Sequence, residues 1–126
     1  MQPLPPIPDP RPLAAEERRL ARWMLEHGAP EAREFLPQLP RARVVSRCAC
    51  GCATIDLEVG GLTARRDGGM RVLGDFWFGD GDGVGGVFIY HYGGVLSGIE
   101  VYALSGDTPR RLPTPESLRP MDEAGE

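Results

Sequence analysis

Hydrophobic residues are spaced at helical intervals in the first third of the chain. Leu13, Leu20, Trp23, Met24 and His27 fall on one stripe at steps of three and four. This spacing is typical of a helix with one apolar face. It predicts a helix over residues 13–27, with Gly28 placed to end it.

A second, shorter helix is predicted over residues 31–36. Pro30 suits the first turn of a helix, because the missing N–H group is not needed there. Pro37 and Pro40 follow and are expected to close the helix. The N-terminal part of the chain is therefore predicted to form a pair of helices with a tight link.

From Arg43 onward the hydrophobic residues alternate with polar ones. Ile55, Leu57 and Val59 alternate with Thr54, Asp56 and Glu58, which predicts a strand with one solvated face. Further strands are predicted over residues 70–78, 87–92 and 95–104. Gly93 and Gly94 join the last two as a two-residue hairpin turn.

Two helices followed by consecutive strands indicate an α+β protein. The prediction is an N-terminal helix pair packed on one face of a 4–5-stranded, mainly antiparallel meander sheet. Proline-rich ends divide the chain into an N-terminal arm (1–12), a single α+β domain (13–108) and a C-terminal tail (109–126).

Aromatic residues are concentrated in the predicted sheet. Six of the nine lie between Phe76 and Tyr92, and adjacent residues of a strand point to opposite faces. One helical layer cannot cover both faces, so Trp77, Tyr90 and Tyr92 are candidates for binding a partner. The alternative is that the proline-rich tails fold back over the second face.

Charge narrows the classes of partner. The net charge is −4, and no arginine lies between Arg71 and Arg110, where the aromatic residues are found. We therefore expect no nucleic-acid binding and no membrane binding. No secretory signal is evident, so a cytoplasmic location is expected. The chain has no lysine or asparagine, which indicates a high-GC bacterial genome.

Three cysteines lie close together at Cys48, Cys50 and Cys52, and the chain has no others. On a strand, residues two apart point the same way, so three sulfurs could share one face and bind zinc. A fourth ligand would be needed, with His91 or Asp56 as candidates. The alternatives are that the cysteines are small buried side chains or reactive thiols.

A thiol-dependent enzyme is a third hypothesis for these cysteines. A catalytic cysteine needs a base such as histidine, and the chain contains only His27 and His91. No flanking signature or oxyanion motif accompanies them. No convergent catalytic set is therefore predicted.

Two motifs carry a resemblance to other proteins. The chain has R-x-x-x-x-x-R-C-x-C-G-C-x-x-I-D-L from Arg41 to Leu57 and G-x-L-x-G-I-E-V-Y from Gly94 to Tyr102. In both it resembles small uncharacterised single-domain proteins of high-GC bacteria. The resemblance implies a compact single domain and carries no activity or site residues.

The leading functional hypothesis is a non-enzymatic module that binds a cytoplasmic protein partner or a second copy of itself. A zinc-binding protein that uses the three cysteines is the alternative.

Overall fold

A computed structural model describes residues 4–81 and 83–121. These residues form one α-helix, three 3₁₀ helices and seven strands. The α-helix is α1 (Ala15–His27), and the 3₁₀ helices are Pro30–Arg41, Arg66–Gly68 and Pro115–Ser117. The strands are β1 (Ile7–Pro12), β2 (Ala42–Arg47), β3 (Ile55–Val59), β4 (Met70–Asp80), β5 (Gly83–Tyr92), β6 (Val95–Ser105) and β7 (Arg119–Pro120).

The seven strands form one antiparallel sheet in the order β1-β2-β3-β6-β5-β4-β7. The predicted α+β class and antiparallel pairing are confirmed. The predicted count of four to five strands is too low, because both ends of the chain contribute an edge strand. The sheet is also not a simple meander, since β3 pairs with β6 and not with β4.

The second predicted helix differs from the observed one. It is a 3₁₀ helix that continues from Pro30 through Pro37 and Pro40 to Arg41. A proline inside an α-helix clashes with the carbonyl four residues earlier. The chain instead continues through both prolines in i→i+3 turns, where an α-helix would end.

The core lies between the helices and one face of the sheet, which we call the inner face. Side chains from α1, β4, β5 and β6 meet there, and these residues are at most 3% exposed: Leu20, Met24, Leu25, Leu73, Phe76, Val87, Ile89 and Ile99. The alternation predicted for these strands therefore positions one face of each strand against α1.

Gly28 ends α1 as predicted, but its φ of −88° is not left-handed. A Cβ atom here would collide with the Leu73 carbonyl oxygen and lie 2.8 Å from the Met24 carbonyl oxygen. The adjacent Ala29 N–H donates to the Leu73 carbonyl at 2.8 Å. Glycine is therefore needed for the close approach of the helix end to β4.

A β-bulge at Ser97 determines which residues of β6 point inward. Tyr92 pairs with Val95 and His91 with Leu96, but Tyr90 pairs with Gly98, so Ser97 is the extra residue. Ser97 is 1% exposed, and its hydroxyl donates to the Val95 carbonyl at 2.8 Å. The extra residue brings Ile99 opposite Ile89 on the inner face.

The two proline-rich ends lie against the rest of the fold. Residues Ile7–Pro12 of the predicted arm (1–12) form β1 beside β2. Residues 119 and 120 of the predicted tail (109–126) pair with β4, and Leu118 is buried. Residues 1–3 and 122–126 of these two segments lie outside the described part of the chain.

An ion pair connects β1 to the start of α1. The Arg11 guanidinium donates to both carboxylate oxygens of Glu17 at 2.8 Å. Glu17 also accepts from the Ala14 N–H at 2.7 Å. The hydrogen bond from Arg11, followed by that from the Ala14 N–H, lowers the pKa of Glu17 against the opposing effect of burial.

Candidate functional site

The second face of the sheet, which we call the outer face, carries a group of aromatic and acidic side chains. The aromatic residues are Trp77, Phe88, Tyr90, Tyr92 and Tyr102, and the acidic residues are Asp56, Asp75 and Glu100. α1 and the long 3₁₀ helix pack on the inner face, and four of the five aromatic side chains remain half-buried.

Four rings form a continuous row across the outer face. Tyr92 and Tyr90 have ring centroids 5.9 Å apart, Tyr90 and Phe88 lie 5.7 Å apart, and Phe88 and Tyr102 lie 6.0 Å apart. These separations are within the range of favourable aromatic pairs. Phe88 therefore has a tyrosine on each side.

Two of the tyrosines lie flat across glycines of a neighbouring strand. The Tyr90 ring covers Gly98, and its hydroxyl donates to Asp56 at 3.4 Å. The Tyr102 ring covers Gly86, and its hydroxyl donates to Asp75 at 2.8 Å. A Cβ atom at either glycine would collide with the ring, so the glycines permit this flat packing.

The acidic residues of the outer face are partly withdrawn from water. Burial raises the pKa of Asp75, while the hydrogen bond from Tyr102 opposes that shift. Burial, followed by the nearby charge of Asp56, raises the pKa of Glu100. A partly desolvated carboxylate is stabilised by a cation, so this face is electrostatically suited to a positive ligand.

Two arginines of the chain already lie on rings of the outer face. The Arg66 guanidinium is 4.5 Å from the centroid of Tyr92, and that of Arg119 is 5.5 Å from the centroid of Trp77. Both distances are within the cation–π range. The indole N–H of Trp77 is buried and has no hydrogen-bond partner within the described residues.

The predicted partner-binding residues all lie on the outer face, but they are not equally exposed. Trp77 and Tyr92 are half-buried, whereas Tyr90 is only 5% exposed. Tyr90 therefore supports the surface more than it presents a ring to a partner. Phe88 and Tyr102 were not among the predicted partner-binding residues. The alternation of side chains along β5 and β6 could have placed both on the same face as Tyr90 and Tyr92.

The three cysteines lie in the loop between β2 and β3. The sequence predicted a strand, but residues 48–53 form a turn in which Gly51 has a φ of +89°. Cys50 is exposed, while Cys48 and Cys52 are half-buried. The three Sγ atoms all lie within 4.8 Å of one another, and this cluster could hold a metal ion.

Hydrogen bonds within the cysteine loop give two of the thiols different pKa values. The Cys48 and Cys50 sulfurs are 2.8 Å apart, and the Cys52 N–H donates to the Cys50 sulfur at 3.4 Å. The hydrogen bond with Cys48 is the main cause that lowers the pKa of Cys50 to about 7. The same bond raises the pKa of Cys48 to about 11.

Neither predicted fourth ligand joins the cysteines. The ring of His91 packs 4.6 Å from that of Phe35, and its Nδ1 accepts from the Gly94 N–H at 3.0 Å. Asp56 lies on the outer face and accepts from the Ser46 hydroxyl at 2.6 Å. His91 therefore does not lie beside a thiol as a general base. The hypothesis of a thiol-dependent enzyme stays a prediction.

An arginine-lined cavity of about 380 Å³ adjoins the cysteine loop. Arg47, Arg110 and Arg111 line it together with Cys52. Arg11 also lines it, but its guanidinium is paired with Glu17. Three carboxylates, Asp9, Glu16 and Glu17, line the same cavity, so its charge is mixed, and its lining contains no histidine and no cysteine besides Cys52.

Comparison with protein-family models, with curated proteins and with solved structures found no match for this chain. The helices of the described residues are too short or too polar to cross a membrane.

Proposed function

We propose that this chain is a non-enzymatic interaction module that binds a cytoplasmic protein partner through the outer face. The observation that carries the proposal is the row of four rings on that face, of which Phe88, Tyr92 and Tyr102 are half-buried. Aromatic side chains in such positions are enriched at protein interfaces. Met70 and Val72, 44% and 43% exposed, extend the apolar surface along β4.

The edges of the sheet are poor alternatives as binding surfaces. β1 carries Pro8, Pro10 and Pro12, and β7 carries Pro120. Proline has no N–H group to donate to an added strand, so prolines block strand addition at an edge. A partner is therefore better accommodated by the outer face than by an edge of the sheet.

Charge favours a different protein over a second copy of the chain or a nucleic acid. On each outer face three carboxylates, Asp56, Asp75 and Glu100, outnumber the two arginines that lie on its rings, so two such faces carry net charge of the same sign. Like charges at an interface oppose association. The same carboxylates repel a phosphate backbone.

Site-specific crosslinking tests the proposal. The photoreactive amino acid p-benzoylphenylalanine replaces Phe88 on the outer face, and in a control protein it replaces the exposed Arg22 of α1. We expect irradiation in cell extract to join one protein to position 88 and not to position 22. Mass spectrometry identifies that protein and the crosslinked segment.

Binding of the identified protein is then measured with purified components. We expect Phe88→Ala to weaken binding at least about tenfold, the effect of losing roughly 1.4 kcal/mol at a central aromatic contact. Circular dichroism checks that the variant is folded. Equal crosslinking from both positions, or undiminished binding by the folded variant, would contradict the proposal.

A second candidate function, zinc binding, is favoured by the three clustered Sγ atoms. Sulfurs bound to one zinc at about 2.3 Å lie about 3.8 Å apart, and a fourth position can be taken by water or another molecule. The observed Sγ atoms all lie within 4.8 Å, so small side-chain rotations would suffice. The turn at Gly51 makes this approach possible.

Zinc binding is tested by elemental analysis of protein purified without added metal. We expect about one zinc per chain, and loss of zinc in Cys50→Ser. The exposed Ser105→Ala serves as a control that leaves the thiols intact. A zinc content far below one per chain in the unmodified protein would exclude this function.

A further inference from the structure

We infer that the outer face is a binding site for guanidinium groups, and that its occupant is an arginine-bearing segment of the partner protein. This inference rests on the proposed function and adds the chemistry of the partner. It follows from the positions of Phe88, Asp75 and Glu100 and from the arginines already bound to neighbouring rings.

Phe88 lies between two carboxylates in the register of the sheet. It pairs with Asp75 on β4 and with Glu100 on β6. Directly paired residues of antiparallel strands have Cβ atoms about 5 Å apart. A planar cation stacked on the Phe88 ring would thus have a carboxylate within reach on either side.

The hydrogen bond from Tyr102 holds one of these carboxylates in place. Tyr102 donates to one oxygen of Asp75 and leaves the other oxygen available. No side-chain hydrogen bond or ion pair of Glu100 is found among the described residues. Two acceptors therefore flank the ring without a cation of their own.

The chain itself shows that these rings accept guanidinium groups. Arg66 lies over Tyr92 and Arg119 lies over Trp77. Within the described residues, the central rings of Phe88 and Tyr102 have no such cation. The internal arginines thus occupy two rings of the outer face and leave the central acidic part for an external segment.

Arginine suits this site better than lysine does. A guanidinium is flat and can stack on a ring while its edge donates to carboxylates on both sides. A lysine ammonium is a compact, strongly hydrated charge that gains less from stacking. The partner segment is therefore expected to carry arginine, with small residues between the arginines so that their side chains can reach the rings.

Peptide binding to the full chain tests this inference. The probe is a capped peptide of alternating glycine and arginine with four arginines. Matched peptides carry lysine or citrulline, the neutral analogue of arginine, at the same positions. Binding is followed by amide chemical shifts in the ¹⁵N-labelled protein.

We expect the arginine peptide to shift the amides around Phe88 and Glu100 on β5 and β6. We expect the lysine peptide to bind about threefold to tenfold more weakly, because an ammonium gains less from stacking on a ring. The citrulline peptide should bind more weakly still, because it carries no positive charge. Glu100→Gln should weaken arginine-peptide binding about threefold to tenfold. Glu34→Gln removes the same charge from the exposed surface of the long 3₁₀ helix and should leave binding unchanged.

The outcomes separate this inference from the proposed function. Equal binding of the arginine and citrulline peptides, or equal effects of Glu100→Gln and Glu34→Gln, would overturn the inference. So would a segment crosslinked to position 88 that contains no arginine, although the interaction function would then stand. If position 88 captures no protein and no peptide changes the amide chemical shifts of the outer face, both the inference and the proposed function are wrong.

Discussion

The two faces of β4, β5 and β6 are built from the same strands but by different means. On the inner face, Val87, Ile89 and Ile99 are fully buried against the helical layer. On the outer face, Phe88 and Tyr102 alternate with them and remain half-exposed. The inner face is stabilised by the removal of apolar surface from water.

The outer face is stabilised by rings that shelter the backbone. Tyr90 and Tyr102 lie across Gly98 and Gly86, and each hydroxyl donates to a carboxylate. This arrangement keeps the sheet ordered without a second helical layer. The difference between the faces shows how one layer of strands can fold on one side and stay accessible on the other.

The largest expected difference between the faces comes from deleting one side chain on each. Ile89→Ala removes a fully buried side chain from the inner face and should lower the free energy of unfolding by about 2–5 kcal/mol. Phe88→Ala, at the neighbouring position on the outer face, should lower the free energy of unfolding by clearly less, because the Phe88 ring is half-exposed. Denaturant unfolding measures both, and equal losses would contradict the distinction between the faces.

Moving α1 away from the inner face should have the next largest effect. Gly28→Ala places a Cβ atom against the Leu73 and Met24 carbonyl oxygens, so the helix end must shift. We expect a loss of about 1–3 kcal/mol in the free energy of unfolding. Gly68→Ala is the matched control, because a Cβ atom there meets nothing within 4 Å. Similar unfolding midpoints for the two variants would contradict this account.

The Arg11–Glu17 pair gives a smaller, pH-dependent effect at the border of the helical layer. The pKa of Glu17 is lower in the folded than in the unfolded chain. The contribution of Glu17 to the free energy of unfolding is therefore present above its unfolded pKa and is lost as the pH falls through its folded pKa. Glu17→Gln should lower stability at pH 7 by about 1 kcal/mol and remove this part of the acid dependence. Parallel pH profiles for the variant and the unmodified chain would contradict the prediction.

The smallest expected effect has the opposite sign and lies on the outer face. The folded pKa of Glu100 is raised, so its ionisation opposes folding as pH rises through the unfolded pKa and then the folded pKa. Glu100→Gln should raise the free energy of unfolding at pH 7 by about a few tenths of a kcal/mol, because the half-exposed carboxylate is screened by solvent. Thermal unfolding measures the change, and a clear destabilisation would contradict it.

Hydrophobic spacing was sufficient to predict α1 and the hairpin of β5 and β6. α1 begins two residues later than predicted and ends at His27 as predicted. The hairpin turns at Gly93 and Gly94, both with positive φ. In these segments local preference and tertiary packing favour the same structure, so the sequence pattern is a reliable guide.

The residues that face one another across β5 and β6 could not be predicted in the same way. A two-residue turn without a bulge would place Phe88 opposite Ile99. The bulge at Ser97 places Phe88 opposite Glu100 instead. A single extra residue in a strand has no clear local signal, so the acidic neighbours of Phe88 appear only in the structure.

β1 was missed because its prolines predicted an extended arm. Pro8, Pro10 and Pro12 are two residues apart. Pro8 lies opposite Ser46 and Pro12 opposite Arg43, with a register shift between Pro8 and Arg11, so the prolines are accommodated in an irregular edge ladder. The cysteine loop shows the reverse case, where strand-like spacing was overridden by the turn at Gly51.

The position of β1 has a practical consequence for handling the protein. Removing the first twelve residues by proteolysis or truncation would uncover the hydrogen-bonding groups of β2, which lack the protection of proline. An uncovered strand of this kind can act as a template for intermolecular pairing, so the shortened chain would be prone to form fibrils. The N-terminal strand thus protects the solubility of the whole sheet.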